Sequence, residues 1–215
     1  MDDTKSRTSE LHETLQKECG DLLQDSVIEL GDLVVTVAPE NIAKVLTTCK
    51  NSSALDFNLL ADITAVDWMD LRDERFEVVY QLLSLSKVWR ITVKVPVSES
   101  NPEVPSAVRL WGGASFLERE VWDMFGIKFT AHPDLRRILM YEEFVGHPLR
   151  KDYPVQGKQP RIPLRAPEVE NTARLMSRPD LVTIRSKSRA QGADGQSSQV
   201  QGAQGHGAQG HSSTK

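Results

Sequence analysis

Hydrophobic positions along the first half of the chain change period several times, and each change marks an element. Leu11, Leu15, Cys19 and Leu22 fall on one helical face, with Ser9 placed to cap it. Leu33 to Val37 is a short β-branched strand. Pro39 and Glu40 open a second helix carrying Ile42, Val45, Leu46 and Cys49 at i, i+3, i+4, i+7, a spacing that makes Cys49 a core residue. Phe57 to Trp68 reads as a strand, with Leu59, Ala61, Ile63 and Ala65 on one face and Asp62 and Thr64 on the other. Phe76, Val78, Tyr80 and Leu82 alternate, and so do Trp89, Ile91, Val93 and Val95. The turn-like Ser84–Lys87 makes these two runs a hairpin, and Pro96 closes its second strand.

Asn101-Pro102 leads into an expected helix over Val104–Trp111, stopped by Gly112-Gly113. The next helix is the best specified. Ser115 serves as N-cap and Glu118 follows three residues on, the pattern of a capping box. Leu117, Val121, Met124 and Phe125 form its apolar stripe, Arg119 and Asp123 are an i, i+4 pair, and Gly126 ends it. Glu120 lies beside the stripe, so it is expected to be partly buried and to seek a cation.

Past Gly126 the periodicity stops. Seven prolines fall between 127 and 185, a density that breaks helices and central strands alike. Short apolar pairs such as Ile138-Leu139 and Phe144-Val145 are scattered among Arg and Lys. A stretch this long without its own pattern cannot bury itself, so it must lie extended across another surface. From Ser186 the chain is Ser, Gln, Gly, Ala and His with almost no large apolar residue, and is predicted disordered. His206 and His211 in that tail have no carboxylate close by to complete a metal site. The organisation is therefore a globular part over 1–126, an arm over 127–185 and a tail over 186–215.

Charge sharpens this picture. The formal net charge of −4 hides −10 over residues 1–126 and +6 over 127–189. A basic arm after an acidic body implies that something is clasped, either the chain's own body or a partner. The two cysteines, Cys19 and Cys49, cannot by themselves ligate an iron–sulfur cluster or form a disulfide framework, and reduced thiols are the expected state. No uncharged apolar run approaches the ~20 residues of a membrane span. The N-terminal Met1-Asp2-Asp3-Thr4-Lys5 resembles neither a signal nor a transit peptide, so membrane association is expected only through a partner.

Several chemistries are open to these residues. His132 and His147 with Glu118, Glu120 or Asp123 would make an acid/base or metal set, but neither histidine has helical spacing to another ligand, and a His before Pro is held extended. No serine sits in a Gly-x-Ser-x-Gly elbow. Gly112-Gly113-Ala114-Ser115 precedes a helix without the Lys-Ser/Thr of a phosphate loop. Arg136, Arg137, Arg150, Lys151, Arg161 and Arg165 interleave with Tyr141, Phe144 and Tyr153 in the manner of a nucleic-acid surface, yet Glu142, Glu143 and Asp152 interrupt them, and no nucleic-acid partner is expected. A docking arm uses the same residues better. Arginine and aromatic anchors between prolines lose little entropy on ordering, and arginine pairs bidentately with carboxylates such as Glu118, Glu120 and Asp123 or those of a partner.

Glu118-Arg119-Glu120-x-x-Asp123-Met124-Phe125-Gly126-Ile127 is followed by His132-Pro133-Asp134-Leu135-Arg136-Arg137-Ile138-Leu139-Met140 and by Gly146-His147-Pro148-Leu149-Arg150-Lys151-Asp152-Tyr153-Pro154. With Ala61-Asp62-Ile63-Thr64-Ala65-Val66-Asp67-Trp68 upstream, this succession closely resembles the 30-kDa subunit family of respiratory complex I, the bacterial NADH–quinone oxidoreductase. The resemblance covers roughly residues 25–160. It implies an α+β fold, a two-layer domain with a mixed β-sheet and packed helices, followed by the extended proline-rich arm wrapping the adjacent 49-kDa-type subunit. It also implies a structural, non-redox subunit of the peripheral arm, with no cofactor of its own and with FMN and iron–sulfur clusters in partner subunits. The complex transfers electrons from NADH to a quinone such as ubiquinone and translocates protons, and the chain would sit on the cytoplasmic face of the cell membrane. The same blocks single out Glu118, Arg119, Glu120, Asp123, His132, Asp134, Arg136, Arg137, His147, Arg150, Lys151, Asp152 and Tyr153 as arm-docking or partner-interface residues. Equivalent subunits occur in complex-I-related membrane-bound hydrogenases and other donor–quinone oxidoreductases. The alternative of a different kind is a stand-alone metal-dependent enzyme using His132 and His147.

Overall fold

Leu11, Leu15 and Cys19 are buried along one face of α1 (Asp2–Cys19), as their spacing requires. The helix starts well before Ser9, which lies inside it and is not its cap. The computed structural model describes residues 2–157, 159 and 160, so the tail with His206 and His211, and the arm beyond residue 160, lie outside the described residues. A 3-10 turn, Gly20–Leu22, leads into β1 (Leu23–Glu29), a strand absent from the sequence expectation. Most of β1 is exposed, so it carries no alternation to read. Its pairing with β2 (Asp32–Val37) defines it, through a two-residue turn at Leu30-Gly31 with φ of 53° and 97°. Both turn residues are left-handed, which matches the twist of a tight hairpin.

Helix α2 (Ile42–Asn51) buries Ile42, Val45, Leu46 and Cys49. In β3 (Leu59–Asp67) the inward face is Leu60, Ile63, Ala65 and Asp67, whereas Leu59 and Ala61 are exposed. The register slips between Leu60 and Asp62, making Ala61 the extra residue of a bulge that inverts the alternation ahead of it. The strands β4 (Phe76–Ser84) and β5 (Trp89–Val97) form the expected hairpin. Pro96 does not close β5, because it still pairs with Glu77. The parallel β2–β5 pairing ends at Thr36 and Lys94, so one edge of β5 is unpaired beyond that point and a proline is tolerated.

The sheet order is β1-β2-β5-β4-β3, antiparallel except for β2–β5. The registers place Leu33, Val35, Ile91, Val93, Val78, Tyr80, Leu82 and Ile63 on one face. These join the buried side chains of α1, α2 and α3 (Ala114–Phe125) in one cluster, while Arg90, Thr92 and Lys94 on the other face of β5 stay in partial contact with solvent. The result is a two-layer α+β domain with a mixed sheet.

No helix forms at 104–111. Instead β6 (Glu103–Pro105) pairs in parallel with β7 (Lys128–Thr130), and a single helical turn follows at Ala107–Trp111. Pro105 offers no amide to a helix, and Val104 finds its partner Phe129 from beyond α3, a contact no local pattern reveals. The capping box is also replaced. Gly113 is the N-cap without a side-chain hydrogen bond, and Ser115 already lies inside α3. Gly126 ends the helix as expected, at φ 78°, with its amide on the Trp122 carbonyl. Among the described residues no helix is long and apolar enough to cross a membrane.

Candidate docking surface

The last turn of α3 leaves carbonyls without helical partners, and a buried carboxylate, Asp123, projects from it. The arm is built around both. Asp123 Oδ2 accepts the consecutive amides of Ile138, Leu139 and Met140 at 3.1, 2.9 and 2.8 Å, and Oδ1 accepts Arg137 Nη1 at 2.5 Å. Arg137 Nη2 donates onward to the carbonyls of Phe144 and Gly146, so one guanidinium folds residues 137–146 around the helix. Burial alone would push the Asp123 carboxyl up. The three amides and Arg137 outweigh it and hold the group below the usual carboxylate range. The expected Arg119–Asp123 pair is not formed. Arg119 instead donates to the carbonyls of Arg136 and Arg137, because Asp123 points inward to the arm's own amides.

The second histidine block satisfies the carbonyls. His147 Nδ1 donates to Asp123 O at 3.0 Å, the Leu149 amide to Met124 O at 3.1 Å, and Arg150 Nε to Phe125 O at 2.5 Å. The three carbonyls face two cation-capable groups at the negative end of the helix dipole. His147 is held below its ordinary pKa, first by burial and then by Arg150 and Arg137, and serves as a neutral donor. Gly126 lies under this contact. A Cβ there would come within 2.6 Å of both His147 Nε2 and Arg150 Nη2.

His132 sits at the other end of α3. Its Nδ1 accepts the Asp134 amide at 3.0 Å, which fixes the Nε2–H tautomer and lets Nε2 donate to Ser115 O at 3.2 Å. Ser115 and Asp123 are eight residues apart on the helix, about 12 Å along its axis. The two histidines therefore do not converge on one ion. Among the described residues no group of three or more His, Cys, Asp or Glu is placed to hold a metal.

Glu118, 4.0 Å from His132 Nε2, is the buried glutamate of α3. It accepts Ser106 Oγ and the Ala107 amide, both at 2.6 Å, tying α3 to the segment after β6. Burial pushes its carboxyl up to about 7 against the pull of those two bonds. Glu120, expected to be partly buried beside the apolar stripe, is exposed. The helix presents Glu118 inward, two residues earlier than expected.

A further anchor lies at the sheet end, where the candidates Asp152 and Lys151 meet Arg75 and Asp67, two residues outside the sequence-derived candidates. Arg75 forks onto Asp67 at 3.1 and 3.0 Å and also reaches Glu99 at 2.5 Å and Asp152 at 2.7 Å. Asp67 also accepts the amide of Lys151 at 2.8 Å, so the Lys151-Asp152 block is held through backbone and side chain together. The ring of Phe76 has the guanidinium of Arg75 5.0 Å and that of Arg150 5.1 Å from its centroid. The hint for this hub was Arg75 closing a charged run at the start of β4, opposite Asp67 at the end of β3.

The candidate residues thus divide. Glu118, Asp123, Arg137, His132, His147, Arg150 and Asp152 are engaged with the chain's own domain, and Tyr153 stacks on Phe144 at 5.9 Å. Asp134 and Arg136 pair with each other at 2.9 Å in solvent, and the Lys151 side chain is exposed. Between these anchors the arm turns apolar side chains outward. Val145 is 66% exposed, Leu149 56%, Leu139 56% and Val155 102%, with Phe116 of α3 at 62%.

Comparison with known proteins gives one answer. The family model for the respiratory-chain NADH dehydrogenase 30 Kd subunit matches residues 35–159. The C subunit of the NADH-quinone oxidoreductase of Rhizobium rhizogenes is 48% identical over 149 residues, 69% of this chain and 74% of its own. Its counterpart in Citrifermentans bemidjiense is 47% identical over 143 residues, 66% of this chain and 87% of its own. Among solved structures, a trypsin-resistant fragment (1-134) of Nqo5 superposes with a TM-score of 0.53 at 38% identity, covering 59% of this chain and 99% of the fragment. A chain of an archaeal respiratory membrane complex, the membrane-bound sulfane sulfur reductase, gives 0.59 at 25% identity over 69% of this chain and 86% of its own.

Proposed function

The chain belongs to the 30-kDa subunit family of respiratory-chain NADH dehydrogenase, and from that premise we propose that it is a non-redox structural subunit of a proton-translocating NADH:quinone oxidoreductase. It lies in the peripheral arm of the complex, docked on the 49-kDa-type subunit. One observation carries the docking. The arm's charged groups hold it to its own domain, while Leu139, Val145, Leu149 and Val155 face outward, an apolar surface that a partner subunit would cover. Electron transfer belongs to partner subunits that carry FMN and iron–sulfur clusters. The two cysteines of this chain are too few for a four-thiolate cluster and lie apart from the docking surface, in α1 and α2. The chain reaches the cytoplasmic face of the membrane through the complex.

A photo-crosslinker placed at Leu149 or Val155 in cells tests the docking. The reading expects each to trap the 49-kDa-type subunit. Crosslinks to other components only, or to none, with the chain still folded and in the complex, overturn it. A second reading draws on the likeness to the sulfane sulfur reductase chain. In it the chain serves as the equivalent subunit of a relative of complex I, such as a membrane-bound hydrogenase, fed by a different electron donor. The donor activity that copurifies with the chain separates the two readings.

A further inference from the structure

Strand β1 forms one side of the sheet, and its outer edge has no strand beside it among the described residues. The hairpin fixes which groups face that edge. The two-residue turn at Leu30-Gly31 makes Glu29 and Asp32 a hydrogen-bonded pair, and such pairs alternate with non-bonded ones along an antiparallel ladder. Val27 and Val34 are therefore the next bonded pair, and the amides and carbonyls of Ser26 and Ile28 point outward. The Ser26 amide is taken by Asp25 Oδ1 at 2.8 Å, whereas the outward amide and carbonyl of Ile28 have no partner among the described residues. The side chains of Val27 and Ile28, on opposite faces of the strand, are 42% and 43% exposed. We propose that the β1 edge accepts an extended segment of another polypeptide as a sixth strand, one in which two adjacent apolar residues are flanked by Lys or Arg.

The two faces of β1 set that pattern. Ser26 bonds His12 and Gln16 of α1, and Ser26 and Ile28 stand opposite the buried Val35 and Leu33, so both lie on the helix side of the sheet. Asp25, Val27 and Glu29 lie on the open face. An added strand sets one apolar side chain beside Ile28 and the next beside Val27, and its basic residues beside Asp25 and Glu29. Neither carboxylate has an ion pair among the described residues. Acidic character continues past the start of the strand, where Gln24 enters a cleft of about 680 Å³ shared with Glu40, Glu74 and Glu103. An acidic segment would be repelled along this whole edge. A second copy of the chain fits poorly as well. The two-fold pairing that brings the apolar residues together sets Asp25 of one copy opposite Glu29 of the other. The edge is independent of the arm, whose Lys151 is held at Asp67 in β3, four strand spacings or about 19 Å across the sheet.

The test places the photo-crosslinker p-benzoylphenylalanine at Val27 of the full chain in its native cell and sequences the trapped peptide. The proposal expects a segment of a different polypeptide in which two adjacent apolar residues are flanked by Lys or Arg. The yield should fall about tenfold in the Asp25→Lys/Glu29→Lys variant. Ile28→Pro removes the outward amide without removing a bond of the β1–β2 ladder, and should also abolish trapping. A synthetic peptide of the trapped segment should slow exchange of the Ile28 amide in the purified full chain by at least about tenfold, less so at high salt. With the chain still folded, five results would each overturn the proposal: no trapped peptide, a second copy of this chain, a segment without basic flanks, a yield indifferent to the charge reversal, or unchanged Ile28 exchange. Crosslinks from Leu149 in the same variants report the arm's docking separately and should be unchanged.

Discussion

Replacing Asp123 by alanine should release the arm. The carboxylate is fully buried and accepts four donors, three backbone amides and Arg137. Its removal leaves the mostly buried Arg137 guanidinium without its counter-ion, a loss that costs about 3–5 kcal/mol when one partner of a buried pair is removed. Each orphaned amide would cost about 1–3 kcal/mol if it stayed dry. Hydrated arm residues recover that part, so the two figures overlap and are not summed. The expected loss of about 3–5 kcal/mol is a large fraction of a typical domain's stability. Urea unfolding of the full chain measures it. Fluorescence reports locally, because Trp122 has the Arg137 guanidinium 5.8 Å from its ring centroid. Trypsin should in parallel cut the variant between residues 136 and 151 far faster than the wild type. Glu120→Ala, exposed on the same helix, is the control and should change stability by no more than about 0.5 kcal/mol. A loss below about 1 kcal/mol for Asp123→Ala, with the arm equally resistant to trypsin, would refute the claim that this carboxylate organises the arm.

The carboxyls predict opposite pH responses. Asp123, Asp67 and Asp152 all titrate below their ordinary values in the fold, so their contribution is complete above the unfolded pKa and vanishes as pH falls through the folded one. Arm protection in hydrogen exchange should therefore weaken below about pH 4. Glu118 is held up at about 7, so stability should fall as pH rises from its unfolded value towards 7, by at most about 1.4 kcal/mol per pH unit. Glu118→Gln should flatten that slope in urea titrations, and an unchanged slope would assign it elsewhere. Gly126→Ala forces a Cβ onto His147 and Arg150 at φ 78° and should cost more than about 1 kcal/mol by thermal melt, with the arm again losing trypsin resistance. Deleting residues 190–215 should leave copurification with the complex unchanged, since the composition there offers no anchor.

Much of this architecture was legible because burial on one face leaves a period. Ile42, Val45, Leu46 and Cys49 on α2 and the alternation of β4 and β5 read directly. What escaped depended on partners far away in the chain. Strand β1 has almost no buried face and exists by pairing with β2. The bulge at Ala61 inverted a correctly recognised strand. Glu118 and Ser115 fit a capping box in spacing, but the carboxylate gains more from Ser106 and the Ala107 amide, which only the β6–β7 pairing brings within reach. The site was half legible. A basic, proline-broken segment after an acidic body announced a docking arm, and Arg137 and Arg150 stood out as anchors. That Asp123 would take a row of backbone amides, and that Arg75 and Asp67 would receive Lys151-Asp152, required the folded sheet.

The central claim, a structural subunit of an NADH:quinone oxidoreductase, is tested most directly by copurification. The chain is tagged in its native cell, membranes are gently solubilised, and the captured material is assayed for subunits, flavin, iron and NADH–quinone reductase activity. The account predicts a multi-subunit complex carrying all of these, with capture of the complex lost on Arg150→Ala or Asp123→Ala. A chain recovered alone and soluble, catalytically active by itself and inactivated by His147→Ala, would contradict it.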